Sequence, residues 1–340
     1  MTINVGVIGF GLSAKIFHLP FIDALPSFAV KAIGTSQQQL AKQAWPNAVV
    51  FTQVSDLLAD KNIDLVVITS PNDSHYHLAK QALLAHKHVV VEKPFTVTVA
   101  QADELIDLAK QQGRVLTVYH NRRLDGDFLT VKDCINQGQL GNVRMLHSRF
   151  DRFRPEVRNK WKEQSGQATG ILYDLGSHLI DQALQLFGQP QAITAQCLAM
   201  RNGSQAVDYF DVLLHYPDLQ VRLGSSPFNA GVNQRFMVHG DLGSLLITGV
   251  DAQEAQIVAG MTFNDPMFAD NSEQKVESSL ASVAIKKGNY HKFYQQLATA
   301  INSGTAPLVS AESARNVIAI IELAMQSSEQ QRTLAIRDYL

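Results

Sequence analysis

The segment Gly9-Phe-Gly11-Leu12-Ser13-Ala14 follows directly on the apolar run Ile3–Ile8 and precedes a helical pattern. In this spacing Gly9 permits a tight turn, Gly11 lets a pyrophosphate approach backbone N–H groups, and Ala14 is small enough for a helix to lie on a strand. The anion then sits at a helix N-terminus. A merely tight turn would use the same glycines; the position at the first strand–helix turn of an alternating series favours a dinucleotide. About twenty residues on, a site selective for NAD places a carboxylate on the ribose hydroxyls. Here the run reads Gly34-Thr35-Ser36-Gln37. No carboxylate repels a 2′-phosphate, and Thr35 and Ser36 offer hydroxyls. No arginine clamps the phosphate either, and Lys42 is the nearest downstream cation. NADP is therefore favoured modestly over NAD.

Two further blocks fall where strands end. Ser70-Pro71-Asn72-Asp73-Ser74-His75 follows the fourth strand pattern, where Asn72 or Asp73 would serve as a helix cap. Glu92-Lys93-Pro94 follows the fifth. A lysine there is ordinarily a solvated strand end, but beside a nicotinamide its ammonium would stabilise alkoxide character on a substrate hydroxyl. In the second half of the chain Asp174 and His178 stand four apart at the start of a helix and share a face. A surface Asp–His pair would look the same. Gly176 between them is a costly helix residue, which points to close approach by something flat or by another backbone. Histidine is the side chain suited to proton exchange near neutrality. His120-Asn121-Arg122-Arg123 and Asp151-Arg152-Phe153-Arg154 add donors that suit a polyhydroxylated ligand as well as a solvated face. Eleven histidines show no HExxH and no tight His/Cys grouping, so no metal is expected. Neither G-x-S-x-G nor a P-loop occurs.

The elements that must position these residues follow two rhythms. Apolar, β-branched runs at 3–8, 28–33, 49–51, 65–69, 88–91 and 115–119 alternate with amphipathic stretches at 74–85 and 100–112, capped by Asp73 and Thr98. That is the pattern of a parallel, doubly wound sheet. From about residue 122 a helix at 125–137 leads to a strand at 143–150 and a helix at 172–187. Strand runs at 192–200, 209–216, 220–226, 235–239 and 243–248 come next, without intervening helices. Helices at 290–303 and 311–328 close the chain, and 250–287 reads as loop. The fold class is α/β, an N-terminal Rossmann domain over 1–121 and a C-terminal α+β domain over 122–340 with an open, mostly antiparallel sheet. The 340 residues carry 46% hydrophobic and 18% charged side chains and a net charge of −2. Two domains with cores fit these values, and a nucleic-acid or membrane partner does not. Cys134 and Cys197 are too isolated for a disulfide framework. With no leader-like N-terminus and no run of ~18 apolar residues, a reducing cytoplasm is the expected address.

Together these blocks resemble the Gfo/Idh/MocA family of oxidoreductases over essentially the whole chain. The resemblance is strongest to its bacterial NADP-dependent scyllo-inositol dehydrogenase branch, through 119–123, 127–130, 153–157 and 173–178. It implies Lys93 as the substrate-orienting lysine, Asp174 as its polar partner, His178 as general acid/base, and a cis Lys93–Pro94 peptide. Expected cofactor contacts are Gly9, Gly11, Leu12, Ser13, Ala14, Thr35, Ser36, Ser70, Pro71, Asn72, His75, Glu92, Lys93 and Asn121. Expected substrate contacts are Lys93, Arg122, Arg152, Arg154, Tyr173, Asp174 and His178. The implied activity is hydride transfer between a polyol or sugar carbon and NADP or NAD, in a homodimer or dimer of dimers assembled through the second sheet. Relatives that serve as cofactor-binding regulators, or as glycosidases with tightly held NAD, keep two alternatives open. One departure concerns Gln37, where close relatives often carry Arg.

Overall fold

The computed structural model describes residues 2–158, 163–280 and 282–337. Among them, two compact units form.

The first unit contains residues up to 120 together with 254–266 and 290–315. Its strands are β1 (Ile3–Ile8), β2 (Phe28–Gly34), β3 (Val49–Phe51), β4 (Leu65–Ile68), β5 (His88–Val91) and β6 (Leu116–Val118). All pairs are parallel, in the order β3-β2-β1-β4-β5-β6. β4 is buried at every position, as a strand covered on both faces must be. The helix Val99–Gln112 opens with a capping box: the Thr98 hydroxyl accepts from the Gln101 N–H at 3.3 Å and the Gln101 side chain accepts in return from the Thr98 N–H at 3.4 Å. The cap expected at Asp73 is absent. A 3₁₀ turn, Asn72–Ser74, leads instead into the helix His75–Leu84, with no side-chain cap bond at either start.

The later segments complete this unit's core, which the sequence pattern does not disclose. An amphipathic helix says that it covers something, not which core it covers. The helix His291–Ser303 buries Phe293, Tyr294 and Leu297. The Tyr294 ring meets Phe28 edge-on at 5.7 Å, and the Thr117 hydroxyl donates to the Val309 carbonyl at 2.6 Å. Phe263 stacks on Phe21 and on His291.

The second unit contains 121–253, 267–289 and residues from 316 on. Its strands are β7 (Val143–Arg149), β8 (Ala192–Leu198), β9 (Tyr209–His215), β10 (Gln220–Ser225), β11 (Gln234–Gly240), β12 (Ser244–Thr248), β13 (Lys275–Ser278) and β14 (Leu334–Ala335). They lie in the order β13-β12-β11-β7-β10-β9-β8-β14, and β7–β10 is parallel while the other pairs are antiparallel. Burial alternates strictly along β9, with Phe210, Val212 and Leu214 inside. On the opposite face Met145, His147, Leu213, Met237 and Leu246 stay half-exposed. The stretch read as loop, 250–287, contains a helix Gln253–Val258 and the edge strand β13. β13 carries one partly buried residue among four, so its sequence has no alternation to read.

Candidate functional site

In the first unit the chain runs from β1 outward through β2 to β3 and then crosses to β4 on the other side of β1, so β1 and β4 mark the topological switch point where open sheets bind ligands. Gly9 has φ +101°, and a Cβ there would lie 2.6 Å from the Thr69 hydroxyl oxygen and 3.1 Å from its main chain. The turn is therefore wedged against the end of β4. Gly11 is different: a Cβ on it would meet nothing within 4 Å. No protein atom requires glycine there, and the open space is the cradle that a pyrophosphate approaching backbone N–H groups would use. Leu12 is exposed and Ala14 fully buried, as the fingerprint requires. The helix after the turn begins as a π-helix, Ala14–His18, a widened turn that concentrates at functional sites.

At the end of β2, Thr35 is buried and its hydroxyl oxygen accepts from the Gln37 N–H at 3.0 Å. Ser36 and Gln37 are exposed. Lys42 is spent on the Pro46 and Ala48 carbonyls at 2.9 and 3.3 Å, so it offers no clamp.

The ends of β4 and β5 are laced together. His75 is fully buried, with ring nitrogens 2.8 Å from the Pro94 carbonyl and 3.0 Å from the Ser70 carbonyl. Burial lowers its pKa against these two bonds; a neutral ring has one N–H and donates to only one of the two carbonyls. The Ser70 and Ser74 hydroxyls pair at 2.6 Å, and Asn72 is buried. The Lys93–Pro94 peptide is cis, and Lys93 is half-buried. The Lys93 N–H donates to Glu92 Oε2 at 2.9 Å, while Glu92 Oε1 takes bonds from the Ser13 hydroxyl and from His18 Nε2, the latter at 2.9 Å. Burial opposes ionisation of Glu92, but the His18 bond, Lys93 and Ser13 outweigh it and bring the carboxyl down to about 2.

In the second unit Leu172–Gly176 forms a second π-helix leading into the α-helix Ser177–Phe187. Asp174 therefore lies in a π turn, which changes the plain four-residue helical spacing expected. Asp174 and Tyr173 are half-exposed and His178 is buried; burial pushes the Tyr173 phenol up to about 12. A Cβ on Gly176 would sit 2.9 Å from Leu172 Cδ1 and 3.5 Å from the Phe210 ring. The close approach is thus by β9 and by the helix's own first turn, and neither a flat ligand nor another backbone accounts for it.

The turn after His178 is held by one buried ion pair and by buried hydrogen bonds. Arg123 grips Asp181 with two bonds of 2.8 and 2.6 Å. Arg235, fully buried, donates to Gln182 Oε1 at 2.5 Å and to the Ser148 hydroxyl at 2.6 Å, and Gln182 Nε2 donates to the Arg122 carbonyl at 2.7 Å. Arg122 bonds Asp125 at 3.2 Å and lies over the Phe150 ring, so its guanidinium anchors the helix Gly126–Asn136 more than it faces a ligand. Asn121 is buried in the 3₁₀ turn Asn121–Leu124. Arg152 flanks Phe150 and Arg154 is exposed, their N–H groups bonded to the Ser226 and Pro227 carbonyls. Burial and Arg158 lower the Arg154 pKa, and the nearby Glu163 and Asp174 charges oppose this. Sequence reasoning passed over His18, Tyr294 and Arg235, which lie within ordinary helix and strand patterns. The single available signal was a histidine and an arginine at positions with core periodicity.

Among the described residues no group of three His, Cys, Asp or Glu could hold a metal, and no helix is long and apolar enough to cross a membrane. What the two units offer chemically is a dinucleotide cradle with a lysine at the same sheet edge, and a helix carrying a carboxylate and an imidazole. Models of an oxidoreductase family match residues 3–120 as its NAD-binding Rossmann fold and 132–336 as its C-terminal alpha/beta domain. The uncharacterized oxidoreductase YdgJ of Escherichia coli is 42% identical over 98% of this chain and 99% of its own. The Bacillus subtilis scyllo-inositol 2-dehydrogenase (NADP(+)) IolW is 39% identical over 98% and 96%. The solved structure of YvaA from Bacillus subtilis superposes with a TM-score of 0.94 at 39% identity, covering 98% of both chains. The chain belongs to the Gfo/Idh/MocA family of oxidoreductases.

Proposed function

We propose that this chain is an NADP(H)-preferring dehydrogenase of polyols or sugars, inositol-like substrates foremost, acting at one carbinol carbon. The observation that carries the reading is the pairing, at one sheet edge, of the open Gly11 cradle with Lys93. The name of the 39% identical IolW supplies the substrate class. Bound nicotinamide supplies a hydride acceptor or donor. The Lys93 ammonium donates to the reacting oxygen and stabilises it as charge develops. His178 takes the hydroxyl proton in oxidation and returns it in reduction, and Asp174 is a polar partner in orienting the substrate. Retention of these three residues favours catalysis over a purely regulatory role. The free thiols Cys134 and Cys197 accord with a reducing cytoplasm.

A spectrophotometric screen of inositols, aldoses and their oxidised forms with NADP(H) and NAD(H) tests the proposal. Turnover of free cofactor with a polyol or sugar is the expected result. Cofactor binding without turnover, or glycoside cleavage with retained NAD, would replace it with one of the alternative activities.

A further inference from the structure

Glu92 is the junction of three structures in the first unit. Its Oε2 holds the main-chain N–H of Lys93, and its Oε1 receives Ser13, from the glycine-rich turn, and His18, from the π-helix behind that turn. His18 is fully buried; its other nitrogen lies 2.6 Å from the Tyr294 hydroxyl, and its ring lies 4.3 Å from that of Tyr119. The carboxylate can only accept, so His18 Nε2 carries the proton and donates to it. In the neutral ring Nδ1 is then the acceptor, and the Tyr294 O–H donates to it. In the neutral ring the chain Tyr294→His18→Glu92 runs in one direction, and in either protonation state Nε2 donates to Glu92. Burial, Tyr119 and Glu92 all raise the Tyr294 pKa well above its ordinary value, which keeps the phenol a donor.

We infer that His18 is a positioning residue for the reaction, fixing the Glu92 carboxylate and through it the main chain of Lys93 relative to the cofactor turn. The inference rests on the proposed role of Lys93 as the group that orients the substrate hydroxyl. Without His18 the Oε1 atom keeps only the Ser13 hydroxyl, so the carboxylate is held less firmly against the Lys93 N–H, and misplacement of a catalytic group by about 1 Å costs on the order of 10²-fold in rate.

The test compares wild type, His18→Phe, which keeps a packed ring and loses both bonds, His18→Gln, which keeps a donor for Glu92, and Val66→Ala, a core truncation in β4 remote from this chain of bonds. Trace acetylation with acetic anhydride, read by mass spectrometry, gives the reactivity of Lys93 relative to exposed Lys31 without any substrate. His18→Phe should change that ratio at least ~3-fold and lower kcat ~10- to 100-fold, with the NADPH dissociation constant held within ~3-fold. His18→Gln should recover most of both, and Val66→Ala should lower the melting temperature with the ratio unchanged. If His18→Phe does not fold, the near-isosteric Glu92→Gln should change the Lys93 reactivity ratio and lower kcat in the same sense. Lys93 reactivity and kcat in the His18 variant indistinguishable from those of Val66→Ala would overturn the inference. Full turnover in Lys93→Met would instead remove the role assigned to Lys93, and the labelling result would still report whether His18 positions it.

Discussion

Lys93 and His178 are assigned different work in the proposed reaction, yet the loss of either should appear in kcat. If the proposed roles hold, Lys93→Met removes the donor that stabilises developing charge and His178→Ala removes the proton acceptor, so each should lower kcat at least ~10²-fold. NADPH binding, followed by its fluorescence, should persist in both. In the proposed site cofactor choice falls to exposed Ser36 and Gln37, since Lys42 is held by two carbonyls. A hydrogen bond to a charged group is worth about 1.5–3 kcal/mol, so kcat/KM should favour NADP over NAD by roughly 10- to 100-fold. Gln37→Arg supplies a bidentate clamp and should widen that ratio; wild type that uses NAD equally well would refute the phosphate-tolerant reading of Gly34–Gln37. Glu92 adds a pH signature. Its carboxyl ionises near 2 in the folded chain, below its ordinary 4.5, so the ionised form stabilises the fold above about pH 5. That contribution is lost as pH falls through about 2. Chemical denaturation at pH 6 and pH 3 should show wild type losing more stability over this interval than Glu92→Gln.

At the scale of the element, the two glycines of the first turn make opposite predictions. Gly9→Ala forces a side chain into the Thr69 main chain at a positive φ, which costs roughly 1–3 kcal/mol in strain and should lower the melting temperature. Gly11→Ala meets only open space, so the melting temperature should hold while the NADPH dissociation constant rises tenfold or more. The sequence pattern revealed this turn well, because a strand, a fingerprint and a helix follow each other within a few residues. It also placed the six parallel strands nearly to the residue, since β4 is apolar throughout and β5 is apolar after His88. What it could not show came from distant partners. The π turns at Ala14–His18 and Leu172–Gly176 leave no mark in residue type. Gly176 is small because Leu172 and Phe210 crowd it. The arginines of 120–123 look like a solvated run until Asp125 and Asp181 are found beside them.

At the scale of the whole molecule, the half-exposed face of the second sheet, with Met145, Leu213, Met237 and Leu246 among polar neighbours, is the surface we propose for assembly into a dimer or dimer of dimers, because apolar patches of that kind are rarely left bare. Light scattering at micromolar concentration should give at least twice the chain mass of 37.4 kDa, and a single monomer peak would end the proposal. The three-piece make-up of the first unit bears on how the protein is born. Ribosomal synthesis at about 5–20 residues per second usually lets an N-terminal domain fold first. Here Phe28 and Thr117 wait for Tyr294 and Val309, so some 10–40 s pass at that rate between residue 120 and residue 315. During that interval the nascent sheet stands incomplete, and the second unit's strands emerge while the first unit still lacks its closing helix. A fragment ending at residue 120 should for the same reason be a chaperone client rather than a cofactor-binding domain.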